Sequence, residues 1–170
     1  IPERPAKPRN VGLTMVMDKG LSLSETEGFI ESSAEFVDFV KLGFGTSLIT
    51  NKLKQKIKLY QKGGIRPYLG GTLFEVFIIR GLFNDFVRFV SDLGLDLVEV
   101  SDGSMKMDNK VKCDYISKLS EKFTVISEVG SKQADVIIPD DEWVAMMKRE
   151  VEAGSWKVIA EARESGNVGI

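Results

Sequence analysis

Short β-branched runs alternate along the chain with longer segments whose apolar residues recur at helical spacing, the pattern of repeated βα units around a parallel sheet. Six runs read as strands: Gly12–Met17, Phe39–Phe44, Arg66–Leu69, Leu95–Val100, Thr124–Val129 and Trp156–Ala160. The segments between them carry helix starts. Ser24-Glu25-Thr26-Glu27 fits a capping box, and Thr72-Leu73-Phe74-Glu75 fits it again. Asp108 is placed to cap a helix on which Val111, Tyr115, Ile116, Leu119 and Phe123 follow the helical period. Pro139-Asp140-Asp141-Glu142 opens another with proline and an acidic first turn, and that helix runs through Trp143, Met146, Met147 and Val151 to a stop at Gly154. Leu73 to Leu93 is apolar on most sides and contains Gly81, which leaves two readings: two helices, or one helix between the sheet and a second subunit.

With no antiparallel hairpin signal, the α/β pattern leaves an open doubly wound sheet or a (β/α)8 barrel. Met17-Asp18-Lys19-Gly20-Leu21, the first strand–helix turn, is not a dinucleotide-binding G-x-G-x-x-G. A recurrence favours the barrel: Glu99, Glu128 and Glu161 each stand near the carboxyl end of an apolar strand, sharing a face with Leu97, Ile126 and Ile159. Barrels gather such side chains at the C-terminal ends of their strands. Eight βα units take about 250 residues, so these 170 residues account for about six of them. The expected layout is therefore an extended arm over residues 1–10 and a barrel domain over 11–170 lacking its last two βα units.

Composition narrows the chemistry. The 23 Lys and Arg against 25 Asp and Glu leave a net charge of −2, which argues against a nucleic-acid or anionic-membrane coating role. No apolar run reaches the roughly 20 residues of a membrane span. One cysteine and no cleavable leader pattern give the reading of a cytoplasmic protein. The absence of histidine removes Ser-His-Asp and Cys-His catalysis and His-ligated zinc from these residues, leaving Lys, Arg, carboxylates, hydroxyls, amides or an oxygen-ligated metal.

Glu99, Asp102 and Glu128 are candidates to hold a hard divalent cation such as Mg²⁺, the alternative being rim salt bridges without metal. Lys41 sits inside an apolar strand, Lys132 follows the fifth strand and Arg163 the sixth, so the three suggest an anionic substrate or, again, rim ion pairs. Gly43-Phe44-Gly45-Thr46-Ser47 and Gly70-Gly71-Thr72 join strands to helix starts and read either as anion cradles or as tight βα turns. Lys52, Lys54, Lys56, Lys58 and Lys62 read as one solvated helix face, and Cys113 as an inert thiol.

Seven strings add a family resemblance. Arg4 to Asn10 (RPAKPRN) with Gly12 to Gly20 (GLTMVMDKG) resembles the opening of the phosphosulfolactate synthases. Asp38 to Ser47 (DFVKLGFGTS), Gly70 to Glu75 (GGTLFE), Val98 to Gly103 (VEVSDG), Ser127 to Lys132 (SEVGSK) and Glu161 to Ser165 (EARES) are similar to that family in the same order. The resemblance implies a (β/α)8 barrel longer than this chain. It also implies a Mg²⁺-dependent addition of sulfite to phosphoenolpyruvate giving (2R)-3-sulfolactate 2-phosphate, on the way to coenzyme M in methanogens and to sulfolactate in some bacteria. In those terms Glu99, Asp102 and Glu128 hold the metal, and Lys132 and Lys41 are the catalytic candidates, Lys132 as general acid. Lys41 and Arg163 bind phosphate or sulfite oxygens, assisted by the Gly70 and Gly71 amides. Two alternatives stand beside this reading: a Schiff-base lyase or aldolase, and a non-catalytic interaction barrel like the heat-tolerance relatives of plants. The all-round apolar third helix also leaves a homo-oligomer open.

Overall fold

A computed structural model of the protein describes residues 3–130 and 138–160. The chain divides into two compact units, Ile1–Gly70 and Gly71–Ile170.

The first unit contains β1 (Met15–Asp18), α1 (Leu23–Ser33), β2 (Phe39–Leu42), a 3-10 segment (Gly43–Leu48), α2 (Leu53–Lys62) and β3 (Arg66–Leu69). β1, β2 and β3 pair in parallel and in chain order, with Met17, Lys41 and Tyr68 level across the sheet. β1 begins three residues later than the apolar run predicts. Gly12 turns the chain at φ +63°, and Thr14 gives its N–H to Asp38 Oδ2 rather than to a strand. β2 stops at Leu42 because Phe44 and Gly45 both adopt left-handed backbone, which no ladder accommodates. Val40, Leu42, Ile57, Tyr60, Ile65, Tyr68 and Leu69 fill this unit's core.

The capping box of α1 is Ser22 with Glu25, not Ser24 with Glu27. Glu25 N–H donates to Ser22 Oγ at 3.3 Å, and Ser22 N–H donates to Glu25 Oε2 at 2.7 Å. Both pairs satisfy the motif. Asp18 decides between them, because its Oδ1 accepts from the amides of Gly20 and Leu21 and turns the chain directly into Ser22. Before β1, Arg4 donates to the carbonyls of Gly12 and Phe36, Lys7 to those of Ala34 and Val37, and Arg9 to that of Glu35. Apart from the Gly12 carbonyl, these acceptors lie in residues 34–37, the segment that follows α1.

The second unit contains α3 (Gly71–Ile79), α4 (Phe83–Asp92), β4 (Leu97–Val100), α5 (Asn109–Ser120), β5 (Thr124–Val129), α6 (Asp140–Glu152) and β6 (Lys157–Ala160). β4, β5 and β6 are also parallel and in chain order. The long apolar stretch is two helices, broken at Gly81 with φ +68°. Part of its second apolar face is covered within the unit, where Phe74 and Phe77 of α3 meet Phe86 of α4 at 5.4 and 5.6 Å between ring centroids and Phe77 stacks on Phe89, while Ile79 and Leu82 are exposed. Thr72 caps nothing, since α3 already begins at Gly71, and Glu75 turns instead to Ser101 and Ser104. Asp108 does cap α5, accepting from Lys110 N–H at 2.8 Å.

The fold is thus α/β, six parallel strands each preceding or following a helix in repeated βα units, consistent with part of a (β/α)8 barrel. Among the described residues no helix is long and apolar enough to cross a membrane.

Candidate active site

β4 is buried at all four positions, and its third residue, Glu99, is a fully buried carboxylate at the carboxyl end of an apolar strand. Burying that charge requires donors. One is the first amide of α3: Gly71 N–H donates to Glu99 Oε1 at 2.6 Å, at the positive end of the helix. Glycine is required there, because a Cβ would collide with the Ser101 side chain and stand 2.8 Å from Glu99 Oε1. Ser101 Oγ donates to Glu75 Oε1 at 2.5 Å and Ser104 N–H to Glu75 Oε2 at 2.9 Å, so α3 also ties down the loop leaving β4.

Glu128 lies on β5. Glu99 is level with Ile126 across the ladder, so strand alternation puts Glu99, Ile126 and Glu128 on one face. Ser127 points the other way and meets Ser155 at 2.9 Å. The two glutamates predicted to share a face do so.

Asp102, the third residue expected at the metal, has a cation for a partner. Among the described residues no group of three His, Cys, Asp or Glu side chains comes together to hold a metal ion. Asp102 Oδ1 is instead 2.8 Å from Lys112 Nζ, whose other contacts are Glu150 Oε1 at 2.9 Å and the Glu128 carbonyl at 2.6 Å. Burial works against the charge on Lys112, yet the Asp102 and Glu150 carboxylates outweigh it and hold its pKa above the usual lysine value. Glu150 is pushed above the usual glutamate range by its own burial, which Lys112 offsets only in part.

In the first unit, Lys41 is buried in β2, and its side chain lies along the end of β3: a Cβ on Gly70 would stand 3.0 Å from Lys41 Cε. The two glycine amides expected at a substrate anion have protein acceptors, Gly70 N–H the Leu42 carbonyl at 3.1 Å and Gly71 N–H the Glu99 carboxylate. The Gly43–Leu48 segment is a 3-10 turn closed by Thr46 Oγ1 donating to the Gly43 carbonyl, with Phe44 exposed and Lys19 Nζ 5.8 Å from its ring centroid. Around the β1–α1 and β2–α2 loops lies an open cleft of about 800 Å³, lined by Lys19, Ser22, Thr46, Asn51 and Lys52 among others. Lys132, Glu161 and Arg163 lie outside the described residues.

Two buried lysines escaped the sequence reading. Lys56 is 1 % exposed and is no part of a solvated face. Its Nζ is 2.6 Å from Asp18 Oδ2, which also accepts from Tyr60 Oη at 2.9 Å. Burial would raise the Asp18 pKa, but Lys56, the Gly20 and Leu21 amides and Tyr60 together hold it below the usual aspartate value. The signal was in the period: Lys56 shares the α2 stripe of Ile57 and Tyr60, and Lys112 shares the α5 stripe of Ile116 and Leu119. Val111, counted on the apolar face of α5, is 44 % exposed.

Comparison with known proteins adds the family context. The family model described as (2R)-phospho-3-sulfolactate synthase (ComA) matches residues 2–170. The chain is 40% identical over 172 residues to a phosphosulfolactate synthase of Bacillus subtilis (strain 168), covering 100% of this chain and 68% of that one. It is 36% identical over 175 residues to the phosphosulfolactate synthase of Methanothermobacter thermautotrophicus, covering 99% and 68%. Among solved structures, the carboxyl transferase domain of Rhizobium etli pyruvate carboxylase superposes with a TM-score of 0.57 at 11% identity, over 87% of this chain and 27% of that one, a likeness of fold alone.

Proposed function

The chain belongs to the (2R)-phospho-3-sulfolactate synthase family of lyases, and from that premise we propose that the full-length protein adds sulfite to phosphoenolpyruvate with Mg²⁺, giving (2R)-3-sulfolactate 2-phosphate in the cytoplasm. The observation that carries this reading is the pair of buried carboxylates, Glu99 and Glu128, on one face of adjacent parallel strands.

The donor chemistry suits the ion. Mg²⁺ takes one or two protein carboxylates with substrate oxygens and water, so Glu99 and Glu128 suffice without Asp102. Bound there, the ion would offset the charge that develops on the phosphoenolpyruvate carboxylate as sulfite attacks the methylene carbon. The chain's own residues do the rest. Gly71 N–H fixes the Glu99 carboxylate, so that oxygen needs no reorganisation when substrate arrives. Both substrates are anions and repel each other. Lys41 and Arg163 are proposed to bind their phosphate or sulfite oxygens, and Lys132 to deliver the proton to the carbon beside the carboxylate.

The test is the ultraviolet absorbance of phosphoenolpyruvate on adding sulfite to the full-length protein. Loss of absorbance that a chelator stops and Mg²⁺ restores is expected, with no adduct trapped by borohydride. Unchanged phosphoenolpyruvate with sulfite and Mg²⁺ present would overturn the reading, and a borohydride-trapped adduct would replace it with Schiff-base chemistry.

A further inference from the structure

Lys112 is fully buried, yet its ammonium group has no donor left to offer a ligand. An ammonium has three N–H donors. Three acceptors surround this one: Asp102 Oδ1 at 2.8 Å, the Glu128 backbone carbonyl at 2.6 Å and Glu150 Oε1 at 2.9 Å. They come from three segments: the loop after β4, the carboxyl end of β5, and α6. Behind Glu150 the string continues outward, with Asn109 Nδ2 donating to Glu150 Oε1 at 3.0 Å and Arg149 Nε donating to Asn109 Oδ1 at 2.7 Å.

We propose that Lys112 is a positioning residue for the reaction, and that Asp102 is its anchor and neither a metal ligand nor a substrate contact. The proposal rests on the function just argued. Holding the Glu128 carbonyl fixes the backbone of the residue whose side chain stands on the site face. Holding Asp102 fixes the loop that leaves β4 one residue after Ser101, itself bound to Glu75. One cation therefore sets the direction of Glu128 relative to the end of β4. The arrangement suits a brace better than an acid or an anion contact, because donating a proton or turning to a substrate would break bonds to the fully buried Glu150 carboxylate and the part-buried Asp102 carboxylate and leave them uncompensated.

The experiment compares Lys112→Met, the isosteric Asp102→Asn and the double variant in the full-length protein, measuring kcat, the KM for phosphoenolpyruvate and the Mg²⁺ activation constant. A positioning role predicts that each single variant lowers kcat by about ten- to a hundredfold, with KM and the Mg²⁺ constant within about twofold of wild type. The double variant should then be no worse than the poorer single one, since residues acting as a unit are non-additive. A tenfold or larger rise in the Mg²⁺ constant of Asp102→Asn makes Asp102 a ligand and overturns the proposal. A selective rise in KM makes it a substrate contact, with the same consequence. If Lys112→Met does not fold, Asp102→Asn carries both decisions, because it leaves Lys112 bound to Glu150 and to the Glu128 carbonyl. If the wild type consumes no phosphoenolpyruvate, the functional reading has failed separately. The brace is then judged by urea unfolding of a cycle of Asp102→Asn and Glu150→Gln, which share Lys112 as a partner, and strictly additive losses refute it.

Discussion

Replacing Lys56 with methionine separates two views of α2. On a solvated lysine face the change is silent, within about 0.5 kcal/mol. The structure instead places Lys56 Nζ 2.6 Å from Asp18 Oδ2, with the two side chains 2 % and 1 % exposed. Methionine keeps an unbranched aliphatic stem at this buried position but leaves a buried carboxylate without its cation. Removing one member of a buried pair costs about 3–5 kcal/mol. Asp18 keeps three donors, the Gly20 and Leu21 amides and the Tyr60 hydroxyl. Hydrogen bonds to a charged group contribute about 1.5–3 kcal/mol each, so the loss should lie near the lower end, about 3 kcal/mol. For a chain of this size each kcal/mol shifts Tm by about 2–4 °C, so the melting point should fall by about 6–12 °C. The double variant Asp18→Asn/Lys56→Met removes the charge as well as its partner, and it should recover about 2 kcal/mol of that loss. Urea unfolding and calorimetry on wild type, both single variants and the double variant close the cycle. A Lys56→Met protein within about 0.5 kcal/mol of wild type would refute the buried pair, and a double variant no better than Lys56→Met would refute the charge argument.

Gly71→Ala should destabilise by about 1–3 kcal/mol and lower turnover, whereas Gly70→Ala should be milder, because its new methyl meets the flexible end of Lys41 rather than the Ser101 side chain; unfolding midpoints in the reverse order would contradict the packing. Asp18 is held below the ordinary aspartate value, so the folded state binds that proton less tightly than the unfolded chain. Its stabilisation is present above the unfolded aspartate value and is lost as pH falls through the lower, folded one. Asp18→Asn should therefore flatten the urea midpoint against pH on the acid side, and an undiminished slope would count against this. Glu150 has the opposite sign: its pKa is raised, so its contribution declines as pH rises from the ordinary glutamate value through the folded one, and Glu150→Gln should remove that decline. Asp108→Ala removes the cap of α5 and should cost about 1 kcal/mol, read from thermal melting; no change would mean that the bond to Lys110 N–H adds nothing.

The order and kind of the elements were legible in the residues, because periods of two and 3.6 are local properties that tertiary packing here left intact. β3 and β5 match their apolar runs end to end, and Glu99 and Glu128 share a face because alternation is built into any strand. Boundaries were less legible wherever two local signals were equivalent. Ser22-x-x-Glu25 and Ser24-x-x-Glu27 are the same motif, and Asp18, folded back on Gly20 and Leu21, selected the first. The partners of the buried charges were not legible at all. Lys56 reaches Asp18 across 38 positions, and Lys112 joins Asp102, Glu128 and Glu150 from three separate segments. A lysine on an apolar stripe shows in the sequence that some anion must compensate it; only the packed chain, which brings distant carboxylates to within hydrogen-bond reach, decides which one.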